Sequence, residues 1–136
     1  MIIRDFAKDD LLRLNVQPQQ KHEINLAAQP PQTCFTFEQD GVVLGVFGFV
    51  EMYRGRGAVF AFVSKDAGRY MTAVVKALRQ IIEGGMPTFG FERLEMSVVE
   101  NFPAGDRMAR MLGFEYEGMM KKYFKGRNYK LFARVK

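Results

Sequence analysis

Apolar and polar residues alternate over Thr33–Glu38 and again over Phe91–Val99, the two-residue period of a strand with two distinct faces. Between them, Val42–Tyr53 opens on a nearly unbroken apolar run, Val-Val-Leu-Gly-Val-Phe-Gly-Phe-Val. That run is too continuous for a half-exposed strand and predicts a central one covered on both faces. Asp40-Gly41, a favoured hairpin pair, turns the first of these strands into the second. Gly45 and Gly48 mark a bulge or a place where another group approaches the backbone. Arg54-Gly55-Arg56-Gly57 reads as a loop and Ala58–Val63 as a further buried strand.

Beyond Ser64 the period lengthens. Lys65-Asp66-Ala67-Gly68 opens a helix on which Tyr70, Val74, Val75, Leu78, Ile81 and Ile82 recur at helical spacing, with Gly84-Gly85 as the expected stop. Upstream, Met1–Arg4 suits a short first strand, and Asp9–Leu14 a helical turn with Leu11, Leu12 and Leu14 as its apolar side. Gln17-Pro18-Gln19-Gln20 interrupts that turn, and Lys21–Ala28 reads as a second helical piece ended by Pro30-Pro31. After Asn101 comes a short helical segment, then Leu112-Gly113-Phe114, then two alternating runs joined at Lys125-Gly126-Arg127-Asn128. The order β, α(α), β, β, β, α, β, α, β, β predicts a mixed α/β (α+β) chain, with residues 1–136 as one domain and no repeats or linker.

Composition narrows the class. Apolar residues make up 48% and charged ones 26%, which excludes disordered and fibrous chains. No apolar run approaches the ~20 residues of a membrane span, and the polar opening carries no signal-peptide pattern, so a cytoplasmic protein is expected. A single Cys and a single His cannot build a four-ligand zinc site of the N/S type, and no metal is expected. Cys34, in an apolar strand pattern without a cationic helper, reads as an inert thiol, and His22 as structural or solvated. Neither a P-loop nor Gly-x-Ser-x-Gly is present.

The net charge of +5 is concentrated at one end. Lys121, Lys122, Lys125, Arg127, Lys130, Arg134 and Lys136 lie within Met119–Lys136, which holds no acid, so the other 118 residues carry 13 basic and 15 acidic groups. A solvated edge hairpin, guarded by lysine against strand-to-strand aggregation, accounts for this better than a nucleic-acid surface. Tyr123, Phe124, Tyr129 and Phe132 alternate as a strand core would, so nucleic acid is not the expected partner.

Two places carry candidate chemistry. A strand entering a helix through the turn Ser64–Met71 gathers backbone N–H groups and the positive helix end at one point, with Lys65 and Arg69 adding charge. That is an anion site suited to a pyrophosphate, although Ser64 or Asp66 as an ordinary N-cap explains the same residues. Glu95 shares a strand face with Phe91 and Val99, where apolar neighbours would raise its pKa toward that of a base working near neutrality. Glu51 and Glu100 are weaker candidates for that role.

The order strand, Asn101, helix, Gly113-Phe114, hairpin resembles the closing half of the GNAT superfamily of acyl-CoA N-acyltransferases. The family pattern Asn-x-x-Ala-x-x-hydrophobic-Tyr-x-Lys-x-Gly-Phe is similar to Asn101–Phe114 with one extra residue, and Ala109 falls where the family has its tyrosine acid. The family cofactor loop, Gln/Arg-x-x-Gly-x-Gly/Ala, is similar to Lys65–Tyr70, with Gly68 as the first glycine and Tyr70 in place of a small residue. The resemblance implies a mostly antiparallel sheet flanked by helices and transfer of an acetyl group from acetyl-CoA, as co-substrate, to a primary amine of a small molecule or protein. It further implies that Lys65, Gly68, Arg69 and Tyr70 meet the pyrophosphate and that Phe62, Val63 and Ser64 meet the pantetheine. Asn101 would orient the cofactor, Glu95 would assist deprotonation, and Tyr116 or Tyr123 would replace the missing acid. A homodimer and a bacterial or phage-infected host are compatible with this reading. The alternative is a GNAT-shaped structural or interaction protein without turnover, such as a phage component, which Tyr70 and Ala109 favour.

Overall fold

In a computed structural model of the chain, residues 1–25, 31 and 33–136 are described. Strand β1 (Ile2–Asp5) leads to a one-turn helix α1 (Asp10–Arg13) and a 3-10 helix at Pro18–Glu23. Then come β2 (Thr33–Gln39), β3 (Val42–Tyr53), β4 (Arg56–Val63), a 3-10 turn at Lys65–Tyr70 and the long helix α2 (Met71–Thr88). Strand β5 (Arg93–Val99), helix α3 (Pro103–Met111) and the hairpin β6 (Glu115–Phe124)–β7 (Arg127–Val135) complete the chain. The sheet has seven strands in the order β1-β2-β3-β4-β5-β7-β6. It is mostly antiparallel, with β4 and β5 parallel over the pairs Arg56–Arg93, Gly57–Leu94 and Ala58–Glu95. This is the expected mixed α+β architecture with helices flanking the sheet. Among the described residues no helix is long and apolar enough to cross a membrane.

The chain divides into two compact units. The first comprises Met1–Val50 and Phe60–Val74. Its core gathers Leu14, Val43 and Val46 with Phe6, Leu11, Val16, Cys34, Phe60 and Phe62. Val43 to Phe49 are buried along β3, as the unbroken apolar run predicts. Both suggestions about its glycines hold. The β2–β3 register skips Leu44, leaving a bulge beside Gly45, and a Cβ on Gly48 would lie 2.6 Å from the Phe60 ring. Asp40 and Gly41 both take positive φ, the hairpin conformation that their pairing predicts. Asp10 is fully buried and accepts hydrogen bonds from Arg4, Thr36 and the Ala7 N–H. Burial pushes its carboxyl up, but these donors outweigh burial and hold it at about 2.

The second unit comprises Glu51–Val59 and Val75–Lys136. Leu78, Ile82 and Met86 of α2, Leu94, Met96 and Val98 of β5, Met108 and Ala109 of α3 and its C-cap Leu112 are buried there. Gly105 lets α3 lie close on β5, since a Cβ there would come within 2.6 Å of Val98 Cγ1. Tyr129 and Phe132 of β7 are buried.

Four expectations are corrected. The break between the two helical pieces is present but lies over residues 14–17, and the second piece starts at Pro18 rather than Lys21, as a 3-10 helix whose first position does not need the missing N–H. The rest of the expected helix Lys21–Ala28, beyond Asn25, and the Pro30 stop lie outside the described residues. Strand β4 begins at Arg56, not Ala58, because its ladder with β5 starts there and only Arg54-Gly55 turn. Helix α2 runs through Gly84-Gly85 to Thr88, since a glycine mid-helix weakens the helix without ending it. The stop is Gly90, at φ +70: its N–H donates to the Pro87 carbonyl and that of Phe91 donates to Met86. Finally, Tyr123 and Phe124 are exposed, unlike Tyr129 and Phe132, because Lys122 takes a positive φ and the β6 register slips between Met120 and Phe124.

Candidate functional site

In the first unit, β4 delivers the chain to Ser64, which is buried and caps the following turn by accepting the Asp66 N–H at 3.0 Å. Two neighbouring donors are engaged as well, with the Lys65 N–H on the Asn15 carbonyl and the Ala67 N–H on that of Ser64. The N–H groups at the very start of the turn, which the sequence offers to an anion, are therefore already satisfied. Lys65 and Arg69 are exposed, and the Arg69 guanidinium lies over the Tyr70 ring at 5.6 Å. Tyr70 itself is half-buried. Gly68 is exposed, does not take positive φ, and among the described residues no atom lies within 4 Å of the place a Cβ would occupy.

The end of β4 presents two kinds of main-chain group. The Ser64 N–H donates to Leu44 of β3 at 2.8 Å, and a Cβ on Gly45 would lie 3.0 Å from the Phe62 carbonyl oxygen. Residues 62 and 64 thus face β3, and the two-residue period turns Ala61 and Val63 to the opposite edge. The carbonyls on that edge are held by side chains of the Pro18–Glu23 region. Gln17 Nε2 donates to Val63 at 3.0 Å and Gln20 Nε2 to Ala61 at 3.0 Å. Sequence reasoning missed both glutamines, which appear there only as part of a polar run around Pro18.

In the second unit, Glu95 is buried on β5 with its carboxylate between two arginines. Arg56 donates from Nε to Oε2 at 2.8 Å and from a terminal nitrogen to Oε1 at 3.2 Å, and Arg93 Nε donates to Oε2 at 2.7 Å. The β4–β5 register places Arg56 opposite Arg93, and alternation brings Glu95 onto the same face. Arg93 is further bound by Glu117, the extra residue of the bulge between Tyr116 and Gly118. The raised pKa expected for Glu95 is overturned. Burial does push its carboxyl up, but the hydrogen bonds from Arg56 and Arg93 outweigh burial and leave it below the ordinary carboxylate value. Arg93 in turn holds Glu117 low.

The remaining predicted residues of this unit lie on its surface or in its core. Tyr116 is 46% exposed and meets Phe132 edge-on, ring centres 5.8 Å apart. Asn101 is exposed at φ +65, a left-handed turn conformation that Asn tolerates better than most residues. Ala109, at the family's tyrosine position, is completely buried. It lies beneath the end of α3, where Phe114 N–H donates to its carbonyl and Gly113, at φ +90, donates to Arg110. Cys34 is half-buried with its thiol pushed up to about 11 by burial, in keeping with an inert role.

No protein-family model matches this sequence, and no curated protein matches it. Solved structures do match its fold. Ard1 from Thermoplasma volcanium superposes with a TM-score of 0.76 at 16% identity, covering 98% of this chain and 96% of that one. The GNAT-family acetyltransferase from Bacillus anthracis gives 0.71 at 12% identity, covering 98% and 93%. The microcin C7 self-immunity acetyltransferase MccE, solved in complex with acetyl-CoA and AMP, gives 0.65 at 14% identity, covering 76% and 60%. The chain therefore has the fold of the GNAT acetyltransferases.

Proposed function

We propose that this protein is an acyl-CoA-dependent N-acyltransferase that moves an acetyl group from acetyl-CoA to a primary amine. One observation carries the reading beyond the fold. Gly68 stands in a helical turn that would be steadier with a side chain, in open space, between the exposed cations Lys65 and Arg69. The packing of the described residues gives no reason for a glycine there, whereas a phosphate group drawn to the two cations does. In this reading Lys65, Gly68, Arg69 and Tyr70 meet the pyrophosphate, the main chain of Val63, flanked by Phe62 and Ser64 whose own main-chain groups face β3, meets the pantetheine, and Asn101 orients the co-substrate. Acetyl-CoA supplies the activated acetyl group. Glu95, ionised at neutral pH, takes up the amine proton, directly or through water, and the exposed Tyr116 hydroxyl supplies a proton to the departing thiolate.

The test is thiol release from acetyl-CoA with a panel of primary amines, with the acetylated product identified by mass. Thiol release that depends on an amine, with matching product, is the expected result. Amine-independent hydrolysis alone would contradict the reading.

A second reading is favoured by a specific observation. Glu95 is tied to two arginines that depress its proton affinity, and the position of the usual acid is the buried Ala109. A GNAT-shaped scaffold without turnover fits those two facts, and it predicts neither thiol release nor product.

A further inference from the structure

The Gln17 and Gln20 carboxamides occupy the two carbonyls that β4 turns away from β3. These are the only kind of group a strand edge offers to an amide donor, and they are spaced by one strand period, roughly 6.6 Å. A pantetheine arm carries amide N–H donors of the same type. Both glutamines sit at the start of one short segment, Gln17 as the N-cap of the 3-10 helix Pro18–Glu23 and Gln20 in its first turn, with Gln20 N–H donating to the Gln17 carbonyl. The side-chain amides therefore leave or engage the strand together.

We propose that the Gln17–Gln20 segment is a displaceable strap that mimics the acyl carrier and competes with it for the Ala61 and Val63 carbonyls. The inference rests on the acyl-CoA reading above and adds a regulation of that same site. Closed, the strap satisfies the strand edge when no acyl donor is bound, so the exposed carbonyls do not recruit a foreign strand. Opening it exchanges two intramolecular hydrogen bonds for two to the co-substrate, so affinity is lowered by the share of molecules in the closed form.

The experiment replaces the donors with unbranched apolar side chains of similar length, Gln17→Met with Gln20→Met, and titrates CoA into both proteins calorimetrically. Losing one competing hydrogen bond at each carbonyl is expected to tighten CoA binding about tenfold. Equal or weaker binding by the variant, with clear binding by the natural sequence, overturns the strap and leaves the acyl-CoA reading intact. Failure of both proteins to bind at millimolar CoA overturns the strap and that reading together. A second measurement needs no variant. Saturating CoA should speed amide hydrogen exchange in the Pro18–Glu23 segment of the natural protein. Unchanged or slower exchange there on binding overturns the strap.

Discussion

Glu95 receives three hydrogen bonds of 2.7 to 3.2 Å from Arg56 and Arg93 while almost fully buried, and two opposing effects act on its proton. The sequence hints at the burial, because Phe91 and Val99 on that strand face are apolar, although Arg93 and Ser97 stand between them and Glu95. It hides the arginines. Arg93 is two residues away, but Arg56 reads as loop, and it reaches Glu95 only through a parallel register between strands 37 residues apart at Arg56 and Arg93. Non-local pairing of this kind leaves no local periodic trace. A carboxylate held below its ordinary value is ionised at all higher pH, so Glu95 adds no acidic limb to kcat/KM near neutrality. Glu95→Gln should lower kcat by more than about threefold at every pH between mildly acidic and mildly basic, and a smaller fall removes Glu95 from the mechanism. Its stabilising ion pairs run the same way: they are fully present above the ordinary carboxylate pKa and are lost as pH falls through the depressed one.

At the scale of elements, the helix ends separate what a residue type permits from what a position requires. Gly84-Gly85 looks like the stop in the sequence, yet it is Gly90 that adopts the left-handed conformation and closes the terminal hydrogen bonds of α2. What decides among them is the burial of Met86 and Phe91, which bracket the true end and hold it in place. Leu112-Gly113-Phe114 ends α3 the same way, and there the sequence was legible because the glycine stands between two buried apolar residues. Two substitutions should therefore move stability in opposite directions. Gly84→Ala, exposed and with open space around its Cβ, should stabilise by about 0.5–1 kcal/mol through better helix propensity. Gly90→Ala should destabilise by about 1–2 kcal/mol, because its φ of +70 is strained for an L side chain. Urea midpoints of the two variants check both signs, and a shift in the same direction would contradict the assignment of the helix end.

For the whole molecule, the order of elements was readable because each rests on a local period, and the fold it yields is shared with GNAT acetyltransferases at 12 to 16% identity. The clustered positive charge was readable too, but not its disposition. Lys130 is bound to Asp106 at 2.6 Å, and Arg134 holds both Glu83 and the Leu112 carbonyl, so part of the basic stretch secures the helices of its own unit. The strap glutamines were not legible, because a carboxamide that caps a distant carbonyl has no sequence signature. In the proposed function the turn at Gly68 receives the pyrophosphate of an acyl-CoA. That role is tested by calorimetric titration of CoA and acetyl-CoA into the natural protein and into Gly68→Glu, a substitution that meets no atom of the described residues within 4 Å at its Cβ. Micromolar binding by the natural protein, lost or strongly weakened by the glutamate, is the predicted result. No binding at millimolar ligand, or equal binding by both proteins, would contradict it.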